Sequence, residues 1–201
     1  MRKTVFLLFA ISCLLVAACS STKVTGVWQD VHYAGKPLAN LLVVSVVLDR
    51  KMVNRSEDLL VENLRRRGVA ARAAHNIIPG GGYATVEAIT AAIEKHGFDG
   101  VLIASLVDRQ EETRSTSPCS RRWDSDYRQQ RYALAPCSSN SLNQTTVKYS
   151  LETKLYNAED RSLVMSMNTE TAADRPTDEL LQEFAAVVVK RLIRSRLVAG
   201  I

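Results

Sequence analysis

Read for the spacing of its apolar positions, the chain divides into segments of different character. Leu41-Leu42-Val43-Val44-Ser45-Val46-Val47-Leu48 is almost unbroken in apolar, β-branched residues. That is how a strand covered on both faces of a parallel sheet reads. Asp49 follows as a helix N-cap. Val53, Ser56, Leu59, Leu60 and Leu64 then recur at helical spacing up to Gly68, behind Arg65-Arg66-Arg67, where a helix dipole favours cations. Val69 to Ile78 reads as the next strand, closed by Pro79-Gly80-Gly81-Gly82. Val86, Ile89 and Ile93 mark a second amphipathic helix stopped by Gly97, and Val101 to Val107 is again apolar apart from Ser105. Strand, helix, strand, helix, strand at this spacing predicts parallel strands joined by right-handed crossovers.

From Glu111 to Asn143 the periodicity lapses and Ser, Arg, Gln, Asn and Pro dominate. A polar segment of that length is too long for an ordinary connection and is either functional or disordered. Alternation then returns. Val147, Tyr149, Leu151 and Leu155 face one way, and Lys148, Ser150, Glu152 and Lys154 the other. Asn157 to Asp160 supplies a turn, and Leu163, Met165 and Met167 alternate with Ser166 and Asn168, completing a half-exposed antiparallel hairpin. Pro176, followed by Leu180, Leu181, Phe184, Val187, Val188 and Leu192, predicts a C-terminal helix. Lys190, Arg191, Arg194 and Arg196 load its last turns, which fits dipole matching and a solvated face better than a headgroup-binding patch. Val27 to Tyr33 reads as a first, edge strand. The fold class is therefore α/β: one domain over residues 27–201, with a parallel βαβαβ half, an antiparallel hairpin and a C-terminal helix in one mixed sheet. A polar insert occupies about 111–143.

The N-terminus has a different pattern. Arg2 and Lys3 precede an apolar run from Val5 to Val16, and Ala17-Ala18 lead into Cys19-Ser20. Charge, short apolar segment, small residues and cleavage point form a secretory signal over residues 1–18. A transmembrane helix is the competing reading, but residues 5–18 fall short of the roughly 20 needed to cross a bilayer core. The cysteine directly after the small residues resembles the bacterial lipoprotein signal. That resemblance implies lipidation of Cys19, which becomes the new N-terminus, and two or more acyl chains make such attachment stable. An ordinary signal with an incidental cysteine is the alternative. Ser20 resembles the residue of lipoproteins released to the outer membrane, and residues 19–26 read as a lipid-anchored tether.

Charge and cysteine usage narrow the partners. Loss of Arg2 and Lys3 lowers the 26 basic residues to 24, against 21 acidic, a formal +3. That mild excess argues against a nucleic-acid partner. Cys13 leaves with the signal, so Cys119 and Cys137 remain beside Cys19. Both lie in the polar insert of a chain bound for an oxidising compartment, and they are expected to pair. The closed loop of about 19 residues is worth on the order of 3 kcal/mol in chain entropy. A zinc site is the rival. It needs two more ligands, and none of His32, His75 and His96 stands at a ligand spacing.

The order of several segments is familiar: the lipid-signal cysteine, Val24-Thr25-Gly26-Val27-Trp28, the buried Leu41–Leu48 strand, Arg65-Arg66-Arg67-Gly68-Val69, Gly97-Phe98-Asp99-Gly100-Val101-Leu102 and the Tyr149–Tyr156 hairpin. Together they resemble small bacterial lipoproteins of unknown function, whose α/β domain is similar in arrangement to the N-terminal domain of TolB and to periplasmic domains of secretion lipoproteins. The resemblance implies a fold and a compartment and carries over no catalytic residue.

Candidate chemistry is sparse. Gly80-Gly81-Gly82 lies between strand and helix, where phosphates can be cradled, but Thr85 stands where a dinucleotide fingerprint needs a third glycine, and no Gly-Lys-Ser/Thr follows. No Gly-x-Ser-x-Gly elbow occurs. Ligands of open parallel sheets gather beyond the carboxyl ends of the strands. Asp49, His75 and Asp108 occupy three such ends, with Arg50 and Arg109 beside two of them; the plainer account is that strand ends are wet and Asp49 caps a helix. In the insert, Arg114, Arg121, Arg122, Arg128 and Arg131 interleave with Trp123, Tyr127 and Tyr132. Arginines among aromatic rings suit anionic glycans, lipid phosphates or a protein hot spot, unless the segment is only a solvated loop. The expectation is a non-enzymatic interaction module without cofactor or metal. It is anchored to the outer membrane, faces the periplasm, and meets an envelope protein or an anionic envelope glycan or lipid. A small-ligand binder or enzyme at the Asp49, His75 and Asp108 rim is the second reading, and a component of a secretion assembly the third.

Overall fold

A computed structural model describes residues 21–47, 49–78, 84–116 and 142–200. In chain order the elements are β1 (Thr22–Gln29), β2 (Asn40–Val46), α1 (Arg50–Arg66), β3 (Ala70–Ala73), α2 (Val86–His96), β4 (Gly100–Thr116), β5 (Leu142–Asn157), β6 (Leu163–Ala172) and α3 (Thr177–Ser195), with a 3-10 turn at Ala74–Asn76. The six strands form one mixed sheet in the order β1-β6-β5-β4-β2-β3. β3, β2 and β4 are parallel; β4, β5, β6 and β1 pair antiparallel.

The continuous apolar run of β2 is explained by two cores. Leu41 and Val43 point to the larger one, beneath α1 and α3, with Leu102, Leu155, Met165 and Met167 from neighbouring strands. Leu42 and Val44 point to a smaller core under α2, with Val101 and Phe98. Helices therefore cover both faces of β2 and β4 but only one face of the hairpin strands. This is why β5 and β6 alternate in polarity where β2 does not.

The Gly97-Phe98-Asp99-Gly100 segment is the hinge between α2 and β4. Gly97 closes α2 in the left-handed conformation (φ 65°). The Asp99 carboxylate accepts from the Ala39 and Asn40 backbone N–H groups at 2.7 and 2.8 Å, and the Asn40 side chain donates to the Gly97 carbonyl. A Cβ on Gly100 would stand 2.6 Å from Leu41 Cδ2 and 2.8 Å from Leu38 Cδ1, so a larger residue would have to displace those two buried side chains. These motifs are structural.

Three boundaries differ from the sequence reading. The first strand starts at Thr22, so residues 22–26, read as tether, belong to the sheet and pair with β6. Their signal is weak because an edge strand leaves Lys23, Val24 and Thr25 exposed. The strand expected over Val69–Ile78 ends at Ala73, where the 3-10 turn redirects the chain. Finally, β4 and β5 run into the polar insert, pairing as far as Thr116 with Leu142. The last rung shared with β2 is Ser105–Val46 and the last with β6 is Lys148–Ala172. From Glu111 and Val147 onward the pair is therefore a two-stranded ribbon, about 20 Å long at the usual rise per residue.

Candidate functional site

The three strand-end residues have separate surroundings. Asp49 caps α1, its carboxylate accepting from the Lys51 backbone N–H at 2.9 Å. Asp108 accepts from the Gln110 amide at 2.8 Å and is exposed. His75 lies in the 3-10 turn and is turned toward α1. Its backbone N–H and its Nδ1 reach Glu57 Oε2 at 2.9 and 2.8 Å, and its Nε2 is 3.4 Å from Asp58. Asp49, His75 and Asp108 have different hydrogen-bond partners: Asp49 holds the Lys51 N–H, Asp108 the Gln110 amide, and His75 pairs with Glu57.

Glu57 is the residue that the sequence reading missed. It is 2% exposed, and its other oxygen accepts from the Ser45 N–H at 2.9 Å. One carboxylate thus ties the end of β2, the first half of α1 and the turn after β3, with three donors offsetting its desolvation. The His75 Nδ1 carries the proton in that contact, since the carboxylate only accepts. The clue lay in the helical spacing: Glu57 falls on the apolar stripe of Val53, Ser56, Leu60 and Leu64.

A different convergence occurs between the sheet and the first turns of α1 and α3. Val47, Met52, Leu106, Leu151, Leu180 and Phe184 line an apolar cleft of about 210 Å³. Asp49, Arg109, Tyr149, Thr171 and Thr177 supply its polar groups. Arg109 reaches it through a bulge: the β4–β5 register passes from Leu106–Leu151 to Asp108–Ser150, skipping Val107. Strict alternation would have turned Asp108 inward; the extra residue turns Arg109 there and leaves Val107 65% exposed. The Tyr149 hydroxyl accepts a hydrogen bond from Arg109, which together with the charge of Glu111 holds the guanidinium above its ordinary pKa. Of the sequence-named residues, the cleft unites Asp49 with Arg109. It suits an apolar group with a polar or anionic end at the mouth.

A second, open groove of about 520 Å³ runs between β1 and α3, where Val24, Val27 and Val187 lie beside Lys190, Arg191 and Arg194. The cations are exposed, as a solvated face requires. Cys19, Cys119, Cys137, Arg121, Arg122, Trp123, Tyr127, Arg128 and the Gly80–Gly82 loop lie outside the described residues. Among the described residues no group of three metal-ligating side chains occurs, and no helix is long and apolar enough to cross a membrane.

No family model and no curated protein matches the sequence. Solved structures with a similar chain path include two PelC dodecamers from Paraburkholderia phytofirmans. One is 12% identical over 83% of this chain and 96% of that one, with a TM-score of 0.49. The other is 10% identical over 87% and 99%, with a TM-score of 0.47. The lipoprotein GNA1162 from Neisseria meningitidis is 13% identical over 78% of this chain and 99% of its own, with a TM-score of 0.42. Likeness at this level carries nothing over to the site or its chemistry.

Proposed function

We propose that this protein is an outer-membrane lipoprotein, anchored through Cys19 with its folded head in the periplasm, and that it works as a non-enzymatic interaction module in envelope assembly or maintenance. The observation that carries the reading is the N-terminal pattern of charge, apolar run, Ala17-Ala18 and Cys19-Ser20. The fold is compatible with it. Ser21, two residues after the cysteine, is pinned by its hydroxyl to Asp174 at 2.7 Å, and the Thr22 N–H donates to Glu183 at 3.1 Å. An anchor at Cys19 holds the head close to its membrane. The interaction surface in this reading is the insert carried by the β4–β5 ribbon, with Arg121, Arg122, Trp123, Tyr127 and Arg128 meeting an envelope protein or anionic glycan or lipid. Cys119 and Cys137 pair across it, three residues beyond Thr116 and five before Leu142. The similarity of layout to the TolB N-terminal domain belongs to this reading too.

A Cys19→Ser variant tests the anchor. It is expected to lose incorporation of labelled palmitate and to leave the membrane fraction; a variant that still labels and sediments like the unaltered protein overturns the reading. A second reading, a small-ligand binder, is favoured by the cleft, with Asp49 and Arg109 in place of the wider rim.

A further inference from the structure

The cleft and the start of the folded chain are neighbours. β1 begins at the end of the sheet where β6 finishes, Thr22 pairing with Thr171. The two hydroxyls are 2.9 Å apart and both side chains are buried. Thr171 also lines the cleft, and so do Thr177, Leu180, Leu181 and Phe184 from the first half of α3. Glu183 of that same helix segment binds the Thr22 N–H. Two residues of fully extended chain span at most about 7 Å, so whatever Cys19 carries is tethered within a short reach of the cleft. We propose that the cleft seats part of one acyl chain of the lipid on Cys19, so that the anchor is held by the head as well as by the bilayer. This rests on the lipoprotein reading above.

The chemistry of the cleft fits that occupant. Its apolar side chains come from β4, β5, α1 and α3 and from Val47 just after β2, and Asp49, Arg109, Tyr149, Thr171 and Thr177 supply its polar groups. At about 210 Å³ it falls below the roughly 300 Å³ at which pockets for drug-sized molecules begin, so it takes a segment of a single chain and not a two-chain lipid. Moving an acyl segment out of a bilayer is close to neutral in hydrophobic terms. The gain comes from the cleft itself, whose partly exposed Met52, Leu106, Leu151 and Leu181 surface leaves water. A tether of this length also raises the local concentration of the chain far above that of any free amphiphile.

The test uses the full-length protein in cells fed palmitic acid that carries a photoactivatable diazirine. After irradiation of the membranes, digestion and mass spectrometry locate the cross-links. The expected result is the N-terminal lipopeptide joined to peptides containing Met52 or Leu180–Phe184. The yield should fall several-fold in Leu181→Trp, which fills the cleft, and in Thr177→Trp, which blocks its exposed mouth should the first variant unfold. Absence of label from the protein overturns the lipoprotein reading and this proposal together. Label in the protein with cross-links only outside the cleft, or with yields unchanged in both folded variants, overturns the proposal alone. Capture of labelled phospholipid by the cleft in place of the N-terminal lipopeptide does so as well.

Discussion

Glu57 shows how much of the interior one side chain organises. Its carboxylate accepts from Ser45 N–H, His75 N–H and His75 Nδ1 at 2.8 to 2.9 Å while being almost wholly buried. Glutamine has the same shape, but its NH₂ would face one of those donors, leaving a buried N–H and an amide unpaired. Leaving a buried donor without its acceptor costs on the order of 3 kcal/mol at most. Glu57→Gln is therefore expected to lower the urea midpoint by up to that equivalent with an unchanged slope. A variant as stable as the parent would mean that the carboxylate is not the tie between β2, α1 and the turn. Glu57 was visible in the sequence as an acid on an apolar helical stripe. Its partner was not, because Ala73-Ala74-His75 reads as continuing strand and only the neighbouring elements show that the chain turns there.

Elements were legible where their apolar spacing was clean, even in the largely exposed α2, whose only buried residue is Ala92. β2, α1, α2 and the start of β4 carry unbroken apolar runs or clean helical spacing, and they lie where expected. β1, expected over Val27–Tyr33, runs Thr22–Gln29, and the outer halves of β4 and β5 were hidden, because edge and ribbon strands bury little and need only paired backbone. The cleft was half legible: Asp49 at a strand end was readable, whereas the Val107 bulge that brings in Arg109 depends on the register with β5. Between elements, one exposed contact ties α1 to α3. Arg55 Nη2 donates to Asp178 Oδ2 at 2.9 Å, and its Nε binds Oδ1. The guanidinium holds the Asp178 carboxyl below its ordinary pKa, the hydrogen bond being the larger cause and its charge a further one. A carboxyl depressed in the folded state stabilises above its unfolded pKa, and that stability fades as pH falls through the folded value. Asp178→Asn should thus be less stable than the parent at neutral pH, and the gap should close as pH drops below about 4. In an Arg55→Ala background it should be small at every pH. A gap that persists in strong acid would show that Asp178 acts through something other than its charge.

At the scale of the whole molecule, the features that bear on function share one end of the sheet. β6 ends and β1 begins there, the cleft opens there, and the β4–β5 ribbon projects from there with Glu112 paired opposite Thr146. The turn between β5 and β6, with Asp160 accepting from Ser162, lies at the other end. From Thr146 to Asn157 the strand rises some 35 Å at the usual spacing. Under the proposed anchor at Cys19, the expected orientation has the ribbon toward the anchoring membrane and the Asp160 turn away from it. That geometry is measurable without knowing the partner. A fluorescent amino acid placed at Glu112 or at Asp160, both exposed, in lipidated protein reconstituted into vesicles carrying a headgroup-attached acceptor dye, should give clearly higher energy transfer from position 112. Equal efficiencies would mean that the head tumbles freely on its anchor. Higher transfer from position 160 would mean that the ribbon points into the periplasm, and the partner of the insert would then have to be sought there and not at the membrane surface.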